Sequence, residues 1–255
     1  MLCSCILRPC PRCHAVCPMM KPDSTTVAVV LIGRFDPSAM RIEQLKSAKV
    51  LRESDIDQAS YVVLVPEQAI ELKLPWGKLA VVHERLGVDA FDVPFIRAAD
   101  LAIRCVRELN PTSFVVRLGI NWISHFKFST SKERDDIGTR LMPPQAWGAW
   151  GISINDAIKR SDKQHGGMMS AIMRQTGLPD REAGWIDVKV EPSMIIKDDR
   201  GVSISINDHY EMKAGPDHEQ PVMVVTEKLL NIIETSFDDS LERSASIAQN
   251  VLLGI

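Results

Sequence analysis

Residues 113–129, SFVVRLGINWISHFKFS, form the longest strand pattern in this chain of 255 residues. Branched and aromatic side chains dominate the stretch, and such side chains favour the pleated surface of a β-strand. Gly119 lies in its middle and suggests a bulge or a bend, because glycine weakens a regular strand. We therefore expect one long strand at the centre of the chain, preceded by a break at Asn110-Pro111.

Shorter strand patterns lie on both sides of this central stretch. Before it, the predicted strands cover 27–35, 61–65, 69–74 and 78–86, and the last three resemble an antiparallel meander. After it, the predicted strands cover 168–175, 185–191 and 202–213. Two amphipathic helices are predicted as well, at 94–109 and at 226–253, the second with Thr226 as its N-cap.

Strands followed by a helix occur twice in this order, which predicts an α+β fold with antiparallel sheets backed by helices. The repeated order leaves open that the chain consists of two related halves. We divide it into an N-terminal half, 25–111, and a C-terminal half, 112–255, which ends in the long helix. Residues 1–24 precede both halves as a cysteine-rich leader, interpreted as disordered or as the product of a start codon assigned too far upstream.

The charge and the apolar content of the chain limit the kinds of partner that it is expected to bind. The formal net charge is −3, which argues against the broad basic face that duplex nucleic acid or an anionic membrane would require. No apolar run approaches the roughly 18 residues that cross a bilayer. Arg8, Arg12 and three prolines interrupt the first twenty residues, which makes them a poor secretory signal. We expect a cytoplasmic protein with no membrane partner and without nucleic acid as its ligand.

The leader holds five of the six cysteines. Thiolates at the spacing of Cys10 and Cys13 can hold a tetrahedral zinc ion, and the candidate ligands are Cys5, Cys10, Cys13 and Cys17. Zinc ribbons normally bring a second, distant pair of cysteines, and the downstream sequence holds only Cys105. A regulatory leader that binds zinc is thus one hypothesis, and an unstructured tail without a cofactor is the other.

Residues 116–123, VRLGINWI, resemble the Arg-Ile-Gly-Leu-Arg-Tyr-Ile-Asn signature of a family of uncharacterised, sporadically distributed bacterial proteins of about this length. The order of predicted elements over residues 25–255 is also similar to that family. Asn121 departs from it, because the family often has a basic residue there. The resemblance implies no activity, and the scattered distribution of the family implies a role in the accessory genome, such as defence or a phage-related function.

One pattern points to an enzyme. Asp180 follows a proline, and the order of Asp180, Asp187 and Lys189 resembles the Pro-Asp…Asp/Glu-x-Lys signature of Mg²⁺-dependent nucleases, although only six residues separate Asp180 from Asp187, fewer than that signature usually has. In that class two carboxylates hold the metal and the lysine positions the attacking water. Asp187 and Lys189 lie two residues apart and so share one face of a strand. The same alternation is typical of any half-exposed strand, so both interpretations stay open.

The tryptophans support a different hypothesis, in which the protein is not an enzyme but binds a partner. Trp122 lies in the central strand, and Trp147 and Trp150 lie in QAWGAWG, where small neighbours offer little local cover. These rings either cap the core or act as exposed anchors for a partner, since tryptophan is enriched at binding hot spots. Phosphate-binding glycine loops and the Gly-x-Ser-x-Gly motif are absent from the sequence. We therefore expect a non-enzymatic interaction protein of the bacterial cytosol, which binds another protein or a second copy of itself.

Overall fold

The central strand pattern forms the longest strand of the fold in a computed structural model, which describes residues 20–159, 167–212 and 222–254. Within these ranges nine strands form one antiparallel sheet: β1 (Ser24–Arg34), β2 (Ser60–Val65), β3 (Ala69–Leu74), β4 (Gly77–Val82), β5 (Arg85–Ala90), β6 (Phe114–Lys127), β7 (Ala171–Gln175), β8 (Gly184–Pro192) and β9 (Gly201–Glu211). The helices are α1 (Ile42–Ser47), α2 (Glu53–Ile56), α3 (Ile96–Arg104), α4 (Ser131–Leu141), α5 (Gly148–Lys159) and α6 (Val222–Leu253). The α+β prediction is confirmed, and the strands form a single sheet.

The order of strands across the sheet is β2-β3-β4-β5-β1-β6-β9-β8-β7. Residues 25–111 thus supply five neighbouring strands, and residues 112–255 supply the other four. The two sets meet where β1 pairs with β6 along its whole length, with Val29 opposite Ile120. One hydrophobic core extends beneath both sets.

Both sets of strands follow the same order along the chain. A long strand (β1 or β6) is followed by short helices, then by a meander whose last strand returns to pair with the long one, and then by a helix (α3 or α6). The first meander has four strands and the second has three. The succession of strands and then a helix in each set follows the strand and helix patterns of the sequence, whereas the helix α4 after β6 was not predicted.

The helices in the described ranges pack on one face of the sheet. Alternate residues of the central strands point toward them and are buried, because side chains of a strand alternate between its two faces; they include Val27, Val29, Leu31, Leu118, Ile120, Ile204 and Ile206. Buried side chains of α6 meet this layer, among them Leu229, Ile233 and Phe237. The apolar stripe of the long helix is therefore covered by its own sheet. No helix in these ranges is both long and apolar enough to span a membrane.

The opposite face is more polar. A row of residues in register crosses it from β1 to β8, namely Ala28, Asn121, Asn207 and Asp187. These side chains are small or polar, as expected for a face that the helix layer does not cover.

Three local predictions are wrong. Residues 78–86 do not form one strand, because the chain turns at His83-Glu84 between β4 and β5, and no glycine or proline marks that turn. Gly119 is not a bulge, since it pairs regularly with Val30, and the register of β1 and β6 shifts beside Ile32 instead. Thr226 is not an N-cap, because α6 begins at Val222 and the Thr226 hydroxyl accepts a 3.1 Å hydrogen bond from the Val115 amide.

The sequence pattern also missed the helix α4, and it left the segment of Trp147–Trp150 open between a short helix and a packed loop. The polar stretch from Ser131 forms α4, whose N-cap Thr130 accepts a 3.2 Å hydrogen bond from the Glu133 amide. The Glu133 carboxylate in turn accepts from the Ser129 amide at 3.0 Å, an arrangement close to a capping box. The helix that follows, α5, carries the second tryptophan of the QAWGAWG segment.

Replacement of Phe237 by alanine tests whether α6 is held by the sheet. The ring is fully enclosed, so its removal should lower the free energy of unfolding by about 3–5 kcal/mol. Met223→Ala, on an exposed position of the same helix, is the matched control and should change it by less than about 0.5 kcal/mol. Urea unfolding followed by circular dichroism measures both, and equal effects would contradict the described packing of α6.

Candidate functional site: an aromatic cleft

Trp147 and Trp150 lie side by side at the surface. Trp147 ends a short 3₁₀ turn, Pro144–Trp147, and Trp150 lies in the first turn of α5. Their ring centroids are 6.0 Å apart, and the side chains are 52% and 65% exposed. The structure thus brings together two of the three tryptophans that the sequence proposed as anchors.

Two glycines make this arrangement possible. Gly148 has φ of +61°, a left-handed conformation that turns the chain from the 3₁₀ turn into α5. Gly151 lies against the same turn, where an added Cβ would lie 2.4 Å from the Pro144 carbonyl oxygen and 2.5 Å from the Trp147 Cβ. Side chains at either position would therefore strain the segment that places the two rings.

The two rings border a cleft of about 540 Å³. Its other walls are Gly138 and Met142 from the region of α4, Ile154 from α5, Met168 and Met169 from the segment before β7, and Val202 from β9. Arg134 and Asp135, which form an ion pair, also line it. Methionine and tryptophan offer a large apolar surface that adapts to a ligand, so the cleft is suited to an apolar group.

Trp122 lies elsewhere. It is 7% exposed, and its ring centroid is 6.3 Å from that of Phe126 on the same strand, in the core between the sheet and the helices. Trp122 occupies one of the alternate positions of β6 that point into the core, whereas Trp147 and Trp150 lie outside any strand. This difference in position could have been read from the sequence.

The proposed nuclease residues do not share one site. Asp180 lies on the helix side of the sheet, where its carboxylate accepts hydrogen bonds from Arg181 at 2.8 Å and from Arg243 of α6 at 3.1 Å. Asp187 lies on the opposite face, and its carboxylate accepts bonds of 2.6 and 2.7 Å from Arg174. Lys189 shares that opposite face and forms an ion pair with Glu191. The sheet therefore separates Asp180 from the other two.

Arginine neighbours lower the pKa of both aspartates. For Asp187 the largest cause is the hydrogen bond from Arg174, and for Asp180 it is the hydrogen bond from Arg181. Both side chains are thus held as carboxylates by a cation that the chain itself provides. Among the residues that the structure covers, no group of three or more histidine, cysteine or acidic side chains could hold a metal ion. The leader cysteines proposed for zinc lie outside the described residues.

A buried ionic cluster between β9 and α6 is the feature that sequence reasoning missed. Asp208 is 1% exposed and Arg181 is 3% exposed, and the Arg181 guanidinium donates to the Asp208 carboxylate at 2.6 Å. Arg243 donates to the same carboxylate at 2.6 Å, and the Ser240 hydroxyl donates at 2.8 Å. Along β9, Asp208 follows Ile204 and Ile206 at intervals of two residues and therefore points to the same, buried face. From the sequence, this alternation indicates a buried charge, which needs partners of opposite charge.

A stacked group lies on the helix-free face near the β7 edge. The His209 ring stacks on Trp185 with centroids 4.1 Å apart, and the Arg174 guanidinium lies 4.3 Å from the centre of the Trp185 ring. Burial lowers the pKa of the His209 imidazole, and burial likewise lowers the pKa of His125. Cys105 is fully buried in the core, where burial raises the pKa of its thiol, so it is not a reactive nucleophile.

Asp208→Asn tests the role of the ionic cluster. Removal of this buried charge leaves two arginines without their shared partner, so the free energy of unfolding should fall by about 3–5 kcal/mol. Asp187→Asn is the matched control, because it weakens an aspartate–arginine pair whose arginine is 53% exposed, and it should cost about 1 kcal/mol or less. Chemical unfolding at neutral pH compares them, and a larger loss for Asp187→Asn would contradict the structure.

Two histidines, the buried His209 and the partly buried His125, predict how stability depends on pH. Their pKa values are lower in the folded than in the unfolded chain, where histidine titrates near about 6.5. The unfolded chain therefore binds more protons below that pH, and stability present at neutral pH is lost as the pH falls from about 7 to about 5. His209→Gln should make this decline shallower, and addition of His125→Gln should flatten it further. Unfolding curves over this pH range test it, and an unchanged slope in the double variant would disprove it.

Comparison of the chain with protein-family models found no match, and comparison with curated proteins found none either. Neither comparison supplies an activity for the residues of the cleft.

Proposed function

We propose that this protein is a non-enzymatic binding protein that holds an apolar segment of another protein in the cleft beside Trp147 and Trp150. The observation that carries the proposal is the exposure of two adjacent indole rings on the wall of an apolar cleft of about 540 Å³. Exposed aromatic rings in concave surroundings are typical of binding hot spots.

The position of the cleft supports a binding role. The walls of the cleft come mainly from α4, α5 and the segment before β7. Most of the hydrophobic core lies elsewhere, between the sheet and the helices α3 and α6. The two rings are therefore not needed to close the core. The charged pair of Arg134 and Asp135 on the cleft wall offers polar contacts that can orient a bound peptide.

The charged residues favour binding over catalysis. The carboxylates of Asp180, Asp187 and Asp208 all accept hydrogen bonds from arginines of the same chain, so their negative charge is balanced internally. We propose the bacterial cytosol as the compartment, because residues 20–255 contain only the buried Cys105 and no disulfide partner for it. The resemblance of residues 116–123 supports a role in the accessory genome.

The double substitution Trp147→Ala/Trp150→Ala tests this proposal. Full-length protein, immobilised and exposed to native lysate, should retain a partner that the double variant loses. With the purified partner, calorimetry should show a dissociation constant raised by about thirtyfold or more, since a hot-spot tryptophan contributes about 2 kcal/mol or more.

Met194→Ala is the control, because this side chain is apolar and exposed but lies outside the cleft. It should leave the dissociation constant unchanged. Both variants should unfold at the wild-type denaturant concentration, because each of the side chains that they shorten is already more than half exposed. Loss of the fold in the double variant, or equal binding by all three proteins, would refute the proposal.

A further inference from the structure

The strand β2 forms one edge of the sheet and pairs on a single side. Its partner is β3, from Ser60 opposite Lys73 to Val65 opposite Ala69. No other segment of the described chain is hydrogen-bonded to its outer edge. The backbone amide and carbonyl groups along that edge are therefore available to another strand.

The side chains of β2 are unusual for such an edge. Its sequence, SYVVLV, contains no charged residue, and Val62 and Leu64 are 57% and 47% exposed. Val63 and Val65 are exposed too, as is Val82 of β4, which lies in the same row of the sheet as Val65. Edge strands that stay unpaired usually carry lysine, proline or an inward charge that repels a neighbour.

The other edge of the sheet also exposes apolar side chains, Ile172 and Met173, but it differs from β2 in carrying a charge. It is formed by β7, which carries Arg174, and this arginine is paired with Asp187 of β8. On β2 the protection is limited to a register shift between Tyr61 and Val63, which leaves Val62 without a partner on β3. The residues beyond the shift continue as regular, apolar strand.

We propose that β2 pairs with β2 of a second copy of this chain, in antiparallel orientation about a two-fold axis. The occupant must be an extended strand, because the edge offers a row of backbone donors and acceptors. A second copy fits, because a strand without charges can pair with itself in any antiparallel register without bringing like charges together. The pairing joins two sheets into one and covers the exposed valines and leucine.

This surface is separate from the cleft. Cleft residues such as Met168, Pro192 and Val202 belong to the side of the sheet formed by β7, β8 and β9, several strands away from β2. A dimer formed through β2 thus leaves both clefts open, which makes the assembly bivalent. The inference does not depend on the proposed function, since it concerns a different edge and different residues.

Two charge variants of the full chain test the pairing. In Val62→Lys/Leu64→Lys, antiparallel pairing brings lysines of the two copies together, and Val62→Glu/Leu64→Glu does the same with carboxylates. Each variant alone should be monomeric by sedimentation velocity across a dilution series in which wild type dimerises. An equimolar mixture of the two should form a heterodimer, because each lysine then faces a carboxylate.

The control is Met194→Lys/Ile195→Lys, which adds the same charge at exposed apolar positions outside β2 and should dimerise as wild type does. Far-ultraviolet circular dichroism of every variant shows whether the fold is retained. In the wild-type dimer, amide hydrogen exchange of residues 60–65 should slow as the protein concentration rises. A wild type that stays monomeric throughout, a lysine variant that still dimerises, or a mixture that remains monomeric would each overturn the proposal.

Discussion

The pairing of β1 with β6 is the interaction on which the rest of the structure depends. It joins the five strands of residues 25–111 to the four strands of residues 112–255 and makes one sheet of them. Because the two long strands are in register, their buried side chains form one layer, and α3 and α6 lie next to each other on it. Arg107, in the π-helical segment Cys105–Leu109 that continues α3, links the two helices through ion pairs with Glu227 and Glu234.

One consequence is that the two faces of the sheet have different roles. The helix side holds the core and the buried carboxylate of Asp208, whose two arginine partners anchor α6 and the loop before β8. A buried ion pair adds little net stability compared with apolar side chains of similar volume. It does restrict how the surrounding elements can pack, because each buried charge needs its partner nearby. The cluster is therefore better understood as a device that fixes the position of α6 than as a reactive centre.

A second consequence is that the surfaces available for binding lie away from the core. The cleft of Trp147 and Trp150 is built from α4, α5 and the segment before β7, and the apolar edge is built from β2. Each presents apolar side chains that the fold itself does not need to bury. One is a concave pocket lined by side chains, and the other is a row of backbone groups, so the two interactions proposed for them differ in kind.

By itself, the sequence determined the elements whose periodicity is strong and local. The strands β1, β3, β6 and β9 and the helices α3 and α6 follow directly from alternation or from an amphipathic stripe, and so does the α+β class. Only the tertiary structure decided which residues meet. It placed Trp122 in the core and Trp147 and Trp150 on a cleft, and it put Asp180 and Asp187 on opposite faces of the sheet. The reason is physical: the period of a pattern depends on neighbouring residues, whereas strand order, register and the buried pairing of Asp208 depend on residues that are distant along the chain.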